Sequence, residues 1–399
     1  MNQTIRKRIE DINNGIVPEG YKQTIVGVCP VKWEEHTLAD FLRFKNGLNK
    51  EKSAFGSGTP IVNYTDVWKK RGLRAKDIKG RVQLSENEIN NYEAREGDVF
   101  FTRTSETIDE IGFSSVLLEP VENAVFSGFV LRGRPYNDMV VKEYHQYCYS
   151  SDLMRSEIKK RSSMTTRALT SGPMLSEVAI NLPDRTEQGK IAEILMKWDE
   201  MVEFQEQYIK KLELRKKAIM KKLLTPKDGW ENKKLGDICR IKTGKLDANA
   251  MVENGEYPFF TCSKDIFSID KYSFDCEALL MAGNGDIGDV KYYNGKFDAY
   301  QRTYVLSDFS FNIKYVMYYL LLNFDKDVMK GMQKSSMPYI KLELLQKADI
   351  YYDERTVDET VDILEKVDEE ISLQKEKLAK IKEQRKAMQQ YLLTGIVRV

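Results

Sequence analysis

The spacing Gly283-Asn284-Gly285-Asp286-Ile287-Gly288 spells G-x-G-x-x-G directly after an apolar run, the pattern with which a strand-to-helix turn cradles a dinucleotide pyrophosphate. Residues 289–300, with Tyr292-Tyr293-Asn294-Gly295, are turn and strand sequence, so no helix N-terminus is offered to phosphates and a tight turn is the expected use of these glycines. Other reactive groups are sparse. The two histidines, His36 and His145, lie far from any second histidine or cysteine and read as surface or packing residues rather than metal ligands. No G-x-x-x-x-G-K-[ST] loop is present for nucleoside triphosphate hydrolysis. Neither Asn-Pro-Pro-Tyr nor Asp-Pro-Pro-Tyr occurs, and Met337-Pro338-Tyr339 lacks the Asn and second Pro that a methyltransferase reading would need. Carboxylate clusters such as Asp368-Glu369-Glu370 fall on helical sequence as solvated faces. A chain of 399 residues without a catalytic constellation is expected to bind or scaffold, with no catalytic residue, metal or cofactor of its own.

The elements that would position any binding group are dominated by two long helical stretches, 187–225 and 356–394. A shift of 169 positions (387 − 218) lays Ala218 on Ala387 and Leu223-Leu224-Thr225 on Leu392-Leu393-Thr394, with no gap from Ile194 onward. Leu195, Trp198, Val202, Ile209, Leu212, Ile219 and Leu223 step alternately by three and four residues, the 3.5 period of a coiled-coil seam. Leu364, Val367, Ile371, Leu378, Ile381, Met388 and Leu392 repeat it. Two seam positions are polar in both copies, Gln205 with Gln374 and Lys216 with Arg385. Such groups either fix register and partner or, near a helix end, snorkel to water.

Composition sets further bounds. Charged residues make up 31% of the chain but cancel to +1, so no global basic field exists and any polyanion must be held by local patches or partners. Five scattered cysteines without a C-x-x-C pair fit reduced thiols, the N-terminus lacks an apolar signal core, and the longest greasy run, 315–322, is too short to span a bilayer. A soluble cytoplasmic protein is expected.

Along the chain, Ile5, Ile9 and Ile12 predict a short helix that stops at Asn13-Asn14-Gly15, and 17–30 reads as loop. Trp33, Glu34, Leu38, Asp40, Lys45 and Gly47 recur as Trp230, Glu231, Leu235, Asp237, Lys242 and Gly244 at one offset (230 − 33 = 197), so two globular segments open alike. Each then predicts a strand after a proline (60–64; 258–262), a second strand (98–102; 278–282), and an amphipathic helix (near 140–160; near 313–332) that runs into Ser-Ser-Met at 162–164 and 335–337. The expected class is α+β: an N-terminal helix and loop (1–30), a first mixed domain (31–183), a long helix (184–226), a second mixed domain (227–352), and a second long helix with tail (353–399).

Two unlike domains, each followed by a near-identical long helix, resemble the specificity subunit of type I restriction-modification systems. The resemblance covers nearly the whole chain, through Val17-Pro18-Glu19-Gly20-Tyr21, the openings at Trp33 and Trp230, Leu182-Pro183-Asp184-Arg185-Thr186-Glu187-Gln188 leading into Ile191 and Leu195, and the closing Leu392-Leu393-Thr394-Gly395. Tyr352 and Val357 replace the Pro and Gln at the second helix start, where capping is expected to differ. The resemblance implies two target-recognition domains, each reading half of a bipartite DNA site, in a subunit without catalytic activity alone. It implies two modification subunits that methylate adenine with S-adenosylmethionine, and restriction subunits that use ATP and Mg.

Physical reasoning is compatible with that picture. A helix of about 36 residues is roughly 54 Å long. Antiparallel pairing brings the exit of one helix and the start of the next to one end, which a domain of ordinary compactness can bridge. The rod then measures roughly 15 base pairs. Groove contact needs forked or amide donors, with hydroxyls and cations for phosphates. In the first domain these gather at Arg161, Ser163, Thr165 and Arg167, with Arg103, Thr104, Asn63 and Tyr64 as companions. In the second they are Asn284, Gln301, Arg302, Lys334, Ser336, Tyr339 and Lys341. Each singly is open to an ordinary surface-loop reading. Lys210, Lys211, Arg215, Lys217, Lys221 and Lys222 crowd one helix end, as a solvated face or as a face that docks the modification subunits. The competing reading of the whole is a coiled-coil adaptor whose domains bind proteins rather than double-stranded DNA.

Overall fold

Two long helices, Arg185–Leu224 and Val357–Leu393, are the main elements of a computed structural model that describes residues 3–285, 288–331 and 339–399, with backbone alone for 325–331. The chain packs as two units. The first comprises Met1–Phe204 with Ala379–Val399, and the second Gln205–Leu378, so each contains part of both long helices.

Helix boundaries follow from capping chemistry. Asp184 accepts from the Glu187 N–H at 3.0 Å, while Gln188 donates to the Pro183 and Met139 carbonyls and stiffens the first turn. The second helix starts differently, as its altered sequence suggests: Asp353 accepts from the Arg355 N–H, and a 3-10 turn, Glu354–Thr356, precedes Val357. At its end Gly395 takes φ +71°, and a Cβ there would stand 2.5 Å from Pro30. Only glycine closes this helix without strain.

In both units the seam faces inward. Leu195, Ile209, Leu212, Leu364, Ile371, Ile381 and Leu392 are buried. In the second unit Gln205 donates to the Gln374 side chain at 2.8 Å, and Lys216 pairs with Asp368 at 2.5 Å. The partner number falls as the first rises, so the helices there run in opposite directions. In the first unit Arg385 pairs with Asp199 at 2.7 Å. Both seam cations therefore have carboxylate partners on the other helix and do not simply snorkel.

The globular parts share one strand plan. In the first unit Leu42–Asn46, Val130–Pro135, Val99–Thr102 and Ser114–Leu117 lie side by side in that order. The second unit repeats the order with Arg240–Thr243, Thr303–Ser307, Phe274–Ala282 and Val290–Ala299. The opening segment pairs with the strand before each long helix, Glu34–Thr37 with Ala179–Leu182 and Glu231–Lys234 with Asp349–Tyr352. Apolar residues of these sheets and of the helix ends form one main core per unit.

Three expectations are corrected. The stretch 17–30 is not all loop: Tyr21–Gln23 and Val28–Pro30 form an antiparallel hairpin around Gly27 at φ +136°. The helix expected near 140–160 is only Asp152–Lys160, because the Ser151 hydroxyl caps it and Tyr144, Tyr147 and Tyr149 are buried in turns before it. The strand expected at 60–64 is Phe55–Val62, since Asn63 turns the chain into a short helix, Tyr64–Lys69, by donating its N–H to Asp66. The second Ser-Ser-Met, 335–337, lies outside the described residues.

Candidate nucleic-acid interface

In the first unit the candidate donors converge on a rim built from very short strands. Thr104–Ser105, Ala168–Leu169 and Ser163–Met164 form a three-stranded sheet in which Thr104 and Ser163 both pair with Leu169. Candidates nearly sixty residues apart in sequence thus share one sheet. Arg103 reaches the Gly128 carbonyl at 3.5 Å, Arg161 pairs with Glu177 at 2.6 Å, and Arg167 pairs with Glu106 at 3.0 Å. The last two pairs are solvent-exposed, so little energy opposes exchanging a carboxylate for a phosphate. Thr165 is exposed at the turn, where its N–H donates to the Arg167 carbonyl. Asn63 and Tyr64 are not in this small sheet. Asn63 caps its helix and gives its amide to the Ile61 carbonyl, although the neighbouring Val62 carbonyl accepts from Ser127 at the same rim.

The second unit places Asn284, Gln301, Arg302 and Tyr339 around one pocket of about 380 Å³, with Thr243, Gly283, Tyr304 and Ile340 completing its wall. Gln301, Arg302 and Tyr339 are exposed and Asn284 half-buried. Lys341 is exposed, preceding the short helix Leu342–Gln346. Lys334 and Ser336 lie outside the described residues. Gly283 explains the start of the glycine pattern: a Cβ there would stand 2.4 Å from the Arg302 carbonyl, so backbone meets backbone. The chain then enters Val290–Ala299, a strand.

The two rims have one hydrogen-bonded frame. Arg103 and Gly283 donate N–H to the carbonyls of Phe129 and Arg302, at 3.1 and 2.9 Å. Thr170 and Ile340 donate to the carbonyls of Arg103 and Gly283, at 3.0 and 2.8 Å. Gly128 and Gln301 donate to Leu48 and Leu246, at 2.7 and 2.8 Å. Ser127 and Tyr300 donate to Val62 and Phe260, at 3.0 and 2.8 Å. Side chains on this frame differ. Phe129, 65% exposed, stands where the second unit has Arg302, with Met164 and Leu169 also exposed on its rim. Sequence reasoning passed over Phe129 and Leu169, and met Met164 only as a neighbour within the candidate loop, because it sought polar donors. The available signal was an aromatic after Ser127-Gly128, at a turn that cannot bury it.

Three buried reactive groups elsewhere are quenched by packing. His145 is buried with Nδ1 2.7 Å from the Tyr149 hydroxyl, and burial pushes its imidazole down to about 3. Burial holds the Cys148 thiol far above its usual range and raises Cys239 to about 12, so neither is a thiolate nucleophile near neutrality. Among the described residues no cluster of three or more His, Cys, Asp or Glu could hold a metal, and no helix is long and apolar enough to cross a membrane.

A second repeated constellation ties each globular part to the helices. In the first unit the Tyr147 hydroxyl donates to Asp199 at 2.8 Å while Arg385 pairs with the other carboxylate oxygen. In the second, Tyr318 donates to Asp368 at 2.7 Å while Lys216 does the same.

Comparison with known proteins gives concordant results. Residues 30–214 and 227–383 match the type I restriction modification DNA specificity domain. The type I restriction enzyme EcoDI specificity subunit of Escherichia coli is 42% identical over 112 residues, 28% of this chain and a quarter of that subunit's length. The MjaIX specificity subunit of Methanocaldococcus jannaschii is 22% identical over 377 residues, 81% of this chain and 83% of that one. Among solved structures, a chain from work on complex assembly and conformational transition of the type I R-M system aligns over 92% of this chain and 99% of its own, with TM-score 0.59 and 16% identity. The S subunit from M. genitalium aligns over 90% and 96%, with TM-score 0.54 and 16% identity. These two likenesses concern the fold.

Proposed function

This chain belongs to the type I restriction-modification DNA specificity family, and we propose that it reads double-stranded DNA without acting on it, each rim recognising one half of a bipartite, asymmetric site. The observation that carries this reading is one hydrogen-bonded frame built twice with unlike side chains. A common frame supports a common way of meeting the duplex, and unlike side chains call for unlike half-sites.

In this reading the domains at 31–183 and 227–352 are the readers, and the long helices form an antiparallel coiled coil whose residue count sets the unread spacer. Two modification subunits dock on the outward helix faces and carry out adenine methylation with their own S-adenosylmethionine. Restriction subunits, where they join, bring ATP and Mg. A formal charge of +1 supports the need for partners, since counterion release by this chain alone supplies little affinity.

The test is reconstitution with modification subunits, followed by methylation-sensitive sequencing of treated DNA. Replacing residues 31–182 with the matching segment of a relative is expected to alter one half of the methylated site and leave the other half and the spacer intact. Alteration of both halves contradicts the reading, and a complex that selects no DNA sequence returns the chain to the protein-adaptor class.

A further inference from the structure

Because the rims share a frame, their side chains can be compared position by position, and the pair that differs most in chemistry is Phe129 and Arg302. Each follows the residue whose N–H is held by Leu48 or Leu246, and each gives its own carbonyl to the residue that follows the adjacent strand, Arg103 or Gly283. Neither position is shaped by the core. Phe129 is 65% exposed, with Leu169 at 40% and Met164 at 52% on the same rim. Phe129 and Leu169 are apolar side chains that this rim leaves to solvent, where a partner would cover them. The cations flanking them are Arg103 and Arg167, suited to a phosphate backbone. At the corresponding place in the second unit, Arg302 is exposed at the mouth of a pocket with Gln301 and Asn284, and among the described residues its guanidinium has no partner.

Resting on the reading of these rims as DNA readers, we propose that Phe129 and Arg302 are specificity-determining residues at equivalent positions. Phe129 packs on the 5-methyl group of a thymine in the half-site read by the first unit. Arg302 donates both arms of its guanidinium to O6 and N7 of a guanine in the other half-site. In the major groove the thymine methyl is the apolar marker, and paired acceptors on one base edge belong to guanine. A phenyl ring set against phosphates or amide edges would leave their hydrogen bonds unmade, whereas against a methyl it strands nothing. The forked donor has the opposite need, and the polar pocket around it supplies neighbours able to complete the base contact.

The test uses the full chain assembled with its modification subunits and a duplex carrying the methylated target, with the half belonging to each unit identified by the domain exchange above. Thymines are replaced by deoxyuridine, or guanines by 7-deazaguanine, in one half at a time. Deoxyuridine in the first unit's half is expected to raise Kd about fourfold, the worth of one buried methyl. 7-Deazaguanine in the second unit's half is expected to raise it about tenfold. The crossed substitutions are expected to stay within about twofold. Phe129→Ala should abolish the deoxyuridine effect and Arg302→Ala the 7-deazaguanine effect, with unchanged thermal midpoints because both side chains are exposed. A first half without thymine, a second half without guanine, or a penalty that persists in the matching variant overturns the assignment. Loss of all sequence selection in the unmodified complex would instead defeat the underlying reading, so the two failures are distinguishable.

Discussion

Glu187 and Thr356 occupy the same position at the two long-helix starts (356 − 187 = 169), yet they do different work. Glu187 is buried, accepts the Trp33 indole N–H at 3.1 Å, and receives both arms of Arg398. Trp33 is thereby drawn into the core at 1% exposure. Thr356 only bonds back to the Asp353 carbonyl, and Trp230, the counterpart of Trp33, stays half-buried. The Tyr-Asp-cation constellation, by contrast, is kept in both units. What recurs is the tie between globular part and helix pair. What varies is the first turn of the helix and the rim that faces outward. A frame made of backbone hydrogen bonds tolerates such revision, because the bonds do not depend on which side chain each residue carries.

The sharpest way to break this comparison is at the tryptophans. Trp33→Ala should destabilise the first unit by about 3–5 kcal/mol, as expected for a buried aromatic that also leaves Glu187 short of a donor. Trp230→Ala should cost the second unit about 1 kcal/mol. Hydrogen exchange resolved by peptide separates the two units, and equal losses would refute the asymmetry.

Next in size, Asp199→Ala removes two hydrogen bonds at once and leaves Arg385, whose side chain is 14% exposed, with the Gln389 amide oxygen but no carboxylate. Destabilisation of about 3 kcal/mol is expected in the first unit. Asp368→Ala should cost slightly less, by about 0.5 kcal/mol, because the cation it leaves behind, Lys216, is 21% exposed while the two carboxylates are exposed alike, at 41% and 38%. Urea unfolding of the two variants gives the difference.

A smaller effect concerns pH. Both histidines lie in the first unit, and His145 titrates near 3 when folded against about 6.5 when unfolded. The unfolded chain therefore binds the proton first, and stability falls as pH drops below 6.5 toward 3. Between pH 7 and pH 5 the first unit should lose about 2 kcal/mol through this group. His145→Gln should flatten that limb and leave the second unit's profile untouched, as read by exchange at several pH values.

Smallest is Arg167→Ala at the first rim. Its pair with Glu106 is exposed on both sides, so stability should change by less than about 0.5 kcal/mol. DNA affinity of the assembled complex should nevertheless weaken across sequences, with a salt slope lower by about 1. An unchanged slope would take Arg167 off the phosphate backbone.

Legibility tracked the length over which a pattern repeats. Seven seam positions per helix average out local noise, so both helices, and the polar seam position that Gln205 and Gln374 share, could be read before any coordinates, whereas the hydrogen bond between the two could not. Two-residue strands such as Thr104–Ser105 and Ala168–Leu169 carry no period, and their sheet exists only because distant segments meet. The segment 140–151 looks helical by apolar spacing, but Tyr144, Tyr147 and Tyr149 are claimed by the core from turns. Polar candidates at the rims were visible by type. Phe129, Met164 and Leu169 were not, because an exposed apolar residue looks like a core residue until its surroundings are known.

By itself the sequence determined the repeat, the two long helices with their seam, the matched openings of the two globular parts and the family to which they belong. Those are local or periodic properties, carried by residue spacing and indifferent to what packs around them. Tertiary structure decided which cation meets which carboxylate, which tryptophan is buried, and that Arg103 and Gly283, Phe129 and Arg302 are equivalent places on one frame. Those depend on contacts between residues far apart in the chain, whose geometry is set only when the backbone hydrogen bonds of each sheet have closed.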